Sequence, residues 1–224
     1  MGSCSDGFTA SDARGRIMAL TTYDELKTSI AEFLNRDDLT AIIPDFVTLA
    51  ETQLNRDLRH WRMEDRALAL CDTQYTALPN NFIEPVRITL PADRTYTLEL
   101  VGPYELSKLR MDNQDTVGRP QFYAVVDGAF EVFPTPDSDY TIELVYYESI
   151  PHMSASLQKN WVLEYFPDAI LYGSLLHSAP YLQEDQRVQT WGALYQAAVS
   201  AINLEGERAR SSGSGRRIKI RSYG

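Results

Sequence analysis

Cysteine, histidine and unbroken apolar sequence are all scarce in this chain. Two cysteines among 224 residues, Cys4 and Cys71, give neither a metal-ligand spacing nor a disulfide framework. A reducing compartment is therefore the expected setting. The three histidines, His60, His152 and His177, are far apart and lack ligand spacing; each reads as a surface or core imidazole. No apolar run approaches the ~20 residues of a membrane span. The start has no charged-then-apolar order, so secretion by a signal peptide is not indicated. A glycine-rich phosphate loop, a G-x-S-x-G elbow and an H-E-x-x-H helix are all missing, which removes the commonest motif-bearing enzymes. No catalytic residue, metal or cofactor is expected.

What the chain does have is apolar bulk and a lopsided charge. Apolar residues make up 44% and aromatics 11%, thirteen of them tyrosine, enough for a packed core rather than a disordered chain. Residues 1–207 hold 15 basic and 31 acidic side chains, a balance of −16, whereas residues 208–224 hold six basic and no acidic ones, a balance of +6. An acidic body repels phosphate backbones, which argues against general nucleic-acid binding by that body. The basic end suits a nucleic acid, an acidic protein surface or a neighbouring copy. It reads "SSGSGRRIKIRSYG" from Ser211, a serine–glycine hinge followed by a strip with the two-residue period of a strand.

Hydrophobic spacing divides the rest. Residues 1–17 are polar and glycine-rich and read as a mobile leader. Thr22 and Glu25 form a capping box for a helix reaching about Asn35, with Leu26, Ile30, Phe33 and Leu34 on one face. A second helix begins near Leu39 or Pro44, with Phe46, Leu49, Ala50, Leu54, Leu58 and Trp61 at three- and four-residue steps. The middle changes period. "RALAL", "QYTAL", "EPVRITL", "TYTLELV" and "YTIELVYYE" read as short strands, "GPYELSKLRM" as one helical excursion, and Asp127–Gly128 as the type I′ turn of a hairpin. The stretch "NWVLEYFPDAILYGSLLHSA" is strongly apolar, stops near Pro180 and is too broken to cross a membrane. From Glu184 to about Glu207, Val188, Trp191, Tyr195, Ala198 and Ile202 form a modest heptad-like stripe.

The fold class expected is α+β: a helical bundle with a small antiparallel sheet or barrel inserted in it, and an extended C-terminal tail. The divisions are a leader at 1–17, bundle at 18–64, β insertion at 65–150, bundle again at 151–207 and a flexible basic tail at 208–224. Glu25, Glu51 and Glu64 are the carboxylates a glycosidase reading would use. Glu25 reads better as a cap, and the other two as solvated helix-surface groups. Trp161, Tyr165, Trp191 and Tyr195 read as bundle core.

One ordered set of stretches points further. "TTYDELKTSIAEFLNRDDLTAIIPDFVTLAETQLNRDLRHWRME" (Thr21 to Glu64) resembles the start of phage head-to-tail adaptor proteins, the connector ring between portal and tail in many short-tailed phages. "LPNNFIEPVRITL", "FPTPDSDYTIELVYYESIPHMS", "NWVLEYFPDAILYGSLLHSAPYLQED" and the Trp191–Tyr195 helix are similar to that family in the same order, over about residues 20–205. The resemblance implies a virion protein at the head–tail junction, assembled in the host cytoplasm, with twelve copies in a ring below the portal. The implied partners are the portal protein, a tail nozzle or tail-tube protein, tail fibres and other copies of the chain. Genomic DNA would pass through the channel without sequence-specific binding, and no membrane is involved. The tail would reach back to the portal, with Arg216, Arg217, Ile218, Lys219, Ile220, Arg221 and Tyr223 as its binding residues. The competing reading is a virion-associated peptidoglycan hydrolase, which needs paired carboxylates in a cleft. A third, a nucleic-acid-binding protein using its basic tail, predicts affinity that falls steeply with salt.

Overall fold

Thr22 starts the first helix, α1 (Tyr23–Leu34), by the expected device. Its hydroxyl accepts from the Glu25 amide at 3.3 Å, and the Glu25 carboxylate accepts from the Thr22 amide at 3.1 Å. Asn35 then ends the helix in the left-handed conformation, φ 52° and ψ 42°, which asparagine tolerates better than most residues. The chain is seen in a computed structural model that describes residues 20–91, 96–114, 116–182 and 186–211.

A second helix, α2 (Ile43–Asp57), carries Pro44 in its first turn, where a missing N–H costs nothing. Its buried face is Ile43, Phe46, Val47, Ala50, Glu51 and Leu54. Leu49 and Trp61, expected on that face, are exposed, as is Phe33 of α1. The late apolar stretch divides into α4 (Trp161–Tyr165) and α5 (Pro167–His177). Proline disfavours the helical conformation in the residue before it, and Phe166 adopts φ −138° and ψ 57°. The last helix, α6 (Arg187–Ser211), runs past the expected end near Glu207, so Arg208 and Arg210 lie on it. Helix α5 packs against α1, α2, α4 and α6. Together they bury one core that includes Leu26, Ile30, Leu54, Ile170, Leu175, Tyr195 and Ile202.

Between α2 and α4 the described residues build eight strands and one α-helix. The strands are β1 (Glu64–Cys71), β2 (Tyr75–Ala77), β3 (Phe82–Leu90), β4 (Tyr96–Thr97), β5 (Glu99–Leu100), β6 (Phe122–Val126), β7 (Ala129–Phe133) and β8 (Tyr140–Glu148). The helix is α3 (Pro103–Asp112), between β5 and β6. Where a small antiparallel sheet or barrel is expected, the described residues form two four-stranded sheets, ordered β1-β8-β3-β4 and β2-β7-β6-β5. Nor are all pairings antiparallel, because β5 and β6 run parallel. Parallel neighbours need a crossover between them, and α3 supplies it. The β6–β7 hairpin turns at Asp127 (φ 46°) and Gly128 (φ 72°); two consecutive positive φ values are what a type I′ turn demands.

Cys71, Ile88, Tyr123, Phe130, Val132, Ile142 and Leu144 form a core shared by both sheets. Leu106 of α3 packs onto Ala124 and Phe133 as a small satellite. Tyr147 at the end of β8, with Ile150 and Met153 beyond it, enters the helical core instead. The class is α+β, with one core among the helices and another between the sheets.

Candidate functional site: the root of the C-terminal tail

The far end of α6 is held against the junction of helices and sheet by a ladder of polar contacts. Tyr195 donates its hydroxyl to Asp57 Oδ2 at 2.8 Å. Burial and that carboxylate both push the phenol well above its ordinary range, so it serves as a fixed donor. Two turns on, Asn203 Nδ2 donates to the Asp57 carbonyl at 2.9 Å and its Oδ1 accepts from the Arg59 amide at 3.0 Å. One asparagine thus pairs a carbonyl that α2 leaves open at its end and an amide of the segment that follows.

Next along α6, Gly206 crosses His60, which is fully buried. His60 Nδ1 accepts from the Arg62 amide at 3.2 Å, which places the imidazole proton on Nε2. The ring stacks on Trp161 at 5.5 Å between centroids. Burial lowers its pKa, and the imidazole stays neutral under the helix. Beside it, the Arg62 guanidinium lies over the Tyr165 ring at 3.7 Å and the Trp61 ring at 4.5 Å. Trp161 is half-buried and Tyr165 exposed, while Trp191 and Tyr195 are core residues. The expected aromatic stripe is therefore divided between core and surface.

Arg210 completes the ladder. Its guanidinium meets the Glu64 carboxylate and the Tyr147 hydroxyl and lies over the Tyr147 ring at 5.3 Å. The first residue of β1, the end of β8 and the last turn of α6 thus converge at one corner. A tail leaving Ser211 starts there. The strip expected to bind, Arg216, Arg217, Ile218, Lys219, Ile220, Arg221 and Tyr223, lies outside the described residues.

The three weighed carboxylates are each committed to neighbours inside the fold. Glu25 is the cap, and Glu64 is held by Arg210 at the start of β1. Glu51 is not the solvated group expected but is fully buried. Its Oε1 accepts from the Met153 amide at 2.9 Å and Asn160 Nδ2 at 3.0 Å, while Oε2 lies 2.9 Å from His152 Nδ1. This clamp ties α2 to the segment leading into α4. Nothing local in the sequence signals it, because its partners lie about a hundred positions away. Arg210 did have a signal: Tyr195, Val199, Ile202, Gly206 and Arg210 continue one helical face. Among the described residues, no three of His, Cys, Asp and Glu gather as a metal-binding group, and no helix is long and apolar enough to cross a membrane.

Comparison with known proteins bears on the whole chain. The SU10 adaptor protein family matches residues 21–218. The chain belongs to that family. No curated protein matches it. Membership agrees with the resemblance to phage head-to-tail adaptors and makes the chain a structural phage protein of the head–tail junction, serving portal and tail proteins. The adaptor's matched region also runs past the end of α6 at Ser211 as far as Ile218.

Proposed function

We propose that the adaptor forms a twelve-membered ring beneath the portal, joins it to the tail and continues the channel through which DNA leaves. The C-terminal tail docks on the portal through Arg216, Arg217, Ile218, Lys219, Ile220, Arg221 and Tyr223. One observation carries this reading: the family match continues beyond the last helix into the strip, through Arg216, Arg217 and Ile218.

The physics of the segment supports docking by strand addition. Thirteen residues follow Ser211, and fully extended they reach about 43 Å, enough to cross to another protein. Serine and glycine before the strip let twelve tails adjust to a separately folded ring. Alternating isoleucines give an added strand its register, and the backbone supplies the bonds. The body's charge of −16 over residues 1–207 repels DNA wherever it lines the channel, which favours sliding over sticking.

The test is co-sedimentation with portal-bearing heads, comparing the intact chain with one lacking Ser212–Gly224, followed by electron microscopy of the bound material. A ring on the portal that forms only with the tail is the expected result. Equal docking of the truncated chain would refute the tail's role, and clearing of a cell-wall suspension by the purified protein would refute the purely structural one.

A further inference from the structure

Among the described residues, the two sheets leave a pair of free edges facing one cleft. β1 is the outer strand of one sheet and β2 the outer strand of the other. Beside them is a cavity of about 220 Å³ walled by Ala67 and Ala69 of β1, Leu78 beyond β2, and Phe130, Ile142 and Leu144 beneath. The small alanines leave space that their neighbours do not fill. On the outer face of β1, Leu68 is 66% exposed and Leu70 55% exposed. Edge strands are usually blunted by a charge, a proline or a bulge, yet Ala67–Cys71 has none of these. A bare apolar edge of this kind accepts a strand.

We propose that the occupant is the chain's own strip, Arg217–Arg221, held as a fifth strand along β1 before the adaptor meets its portal. The tail starts at the right corner, since Arg210 is bound to Glu64, the first residue of β1. Ile218 is seven residues beyond Ser211, a reach of about 23 Å. Ala67 and Ala69 lie three and five strand residues from Glu64, about 10 and 17 Å. Leaving that corner in the direction of β1, the strip pairs with it in parallel.

Its pattern matches both faces. Ile218 and Ile220 enter the cleft beside Ala67 and Ala69, where apolar volume is missing. Arg217, Lys219 and Arg221 then point outward, their aliphatic stems covering Leu68 and Leu70 and their charges blunting the new edge. A short parallel pairing is weaker than an antiparallel one, which suits a strand that must later leave. That last step, release to the portal, rests on the function proposed above; the pairing itself does not.

Amide hydrogen exchange over residues 64–71 tests the pairing on the free, full-length chain. The comparison is the double variant Ile218→Asp, Ile220→Asp, whose changes lie outside the described residues; unchanged exchange in α2 and α5 verifies that the body is intact. The intact chain should exchange its edge amides about tenfold more slowly, as expected when exchange follows the population of the open form. Equal exchange in the two proteins overturns the proposal. So does protection that vanishes on hundredfold dilution, because the strand would then come from a second copy. The assay contains no portal: equal exchange beside tail-dependent docking removes the stored strand alone, and slowed exchange beside tail-independent docking removes only the portal role.

Discussion

Gly206 lies so close over His60 that a Cβ on the glycine would meet the imidazole Cδ2 at 3.1 Å and the His60 Cα at 3.4 Å. Alanine is normally better than glycine inside a helix by about 1 kcal/mol. Here the neighbours cannot easily yield, because the ring is stacked on Trp161 and the other contacts are backbone. Gly206→Ala should therefore destabilise the protein by about 1–2 kcal/mol. Gly192→Ala on the same helix meets only Leu176 Cδ1 at 3.8 Å and should stabilise by about 0.5–1 kcal/mol. Denaturation midpoints of the two variants, with unchanged slopes, check the opposite signs.

Which parts of this fold were legible follows from how local their causes are. The capping box at Thr22 and Glu25, the turn at Asp127 and Gly128 and the helical excursion of α3 each depend on a few adjacent residues, and each stands where the pattern put it. The division into two sheets did not show, because a parallel β5–β6 pair is decided by how α3 returns the chain. The burial of Glu51 is hidden in the sequence for a related reason. Its spacing fits either face of an amphipathic helix, and partners from His152 to Asn160 make burial tolerable. Helix α6 outruns its expected end because Arg208 and Arg210 look like tail by composition, whereas Glu64 and Tyr147 draw Arg210 into the fold.

The Glu51 clamp has a pH signature. Burial raises its pKa, against the lowering effect of bonds from Met153, His152 and Asn160. A carboxyl whose folded pKa is raised contributes stability that is fully present below its ordinary value of 4.5 and is lost as pH rises through the folded value. Glu51→Gln keeps the acceptor for Met153 and Asn160 and cannot ionise. It should gain on the natural protein as pH rises above that ordinary value. Glu51→Ala leaves those donors unpaired and should cost about 3 kcal/mol. Thermal unfolding from pH 4 to 8 measures both; a natural protein that gains on Glu51→Gln with rising pH would show that the hydrogen bonds outweigh burial.

Arg210 should act locally. Both it and Glu64 are partly exposed, and such pairs contribute about 1 kcal/mol or less. Arg210→Gln should leave the global midpoint nearly unchanged. Within the last turn of α6, Arg210 is the side chain that reaches Glu64 and Tyr147, so exchange of the amides from Arg208 to Ser211 should quicken severalfold. An unaltered last turn would show that Gly206 and Asn203 anchor the helix without Arg210.

The strip's charges and its isoleucines should fail in different ways at the portal. Ile218→Asp with Ile220→Asp places carboxylates on the face of an added strand that becomes buried, where they lack partners, and docking should be lost at every salt concentration. Changing Arg216, Arg217, Lys219 and Arg221 to glutamine preserves the alternation and the backbone bonds but removes the attraction that speeds encounter. Docking should then weaken modestly at low salt and hardly change at high salt, since the screening length falls from about 10 Å at 0.1 M to about 3 Å at 1 M. Co-sedimentation with portal-bearing heads across a salt series separates the two. A glutamine variant as dead as the aspartate variant would mean that the charges themselves are buried in the contact, and strand addition would no longer explain how the tail binds.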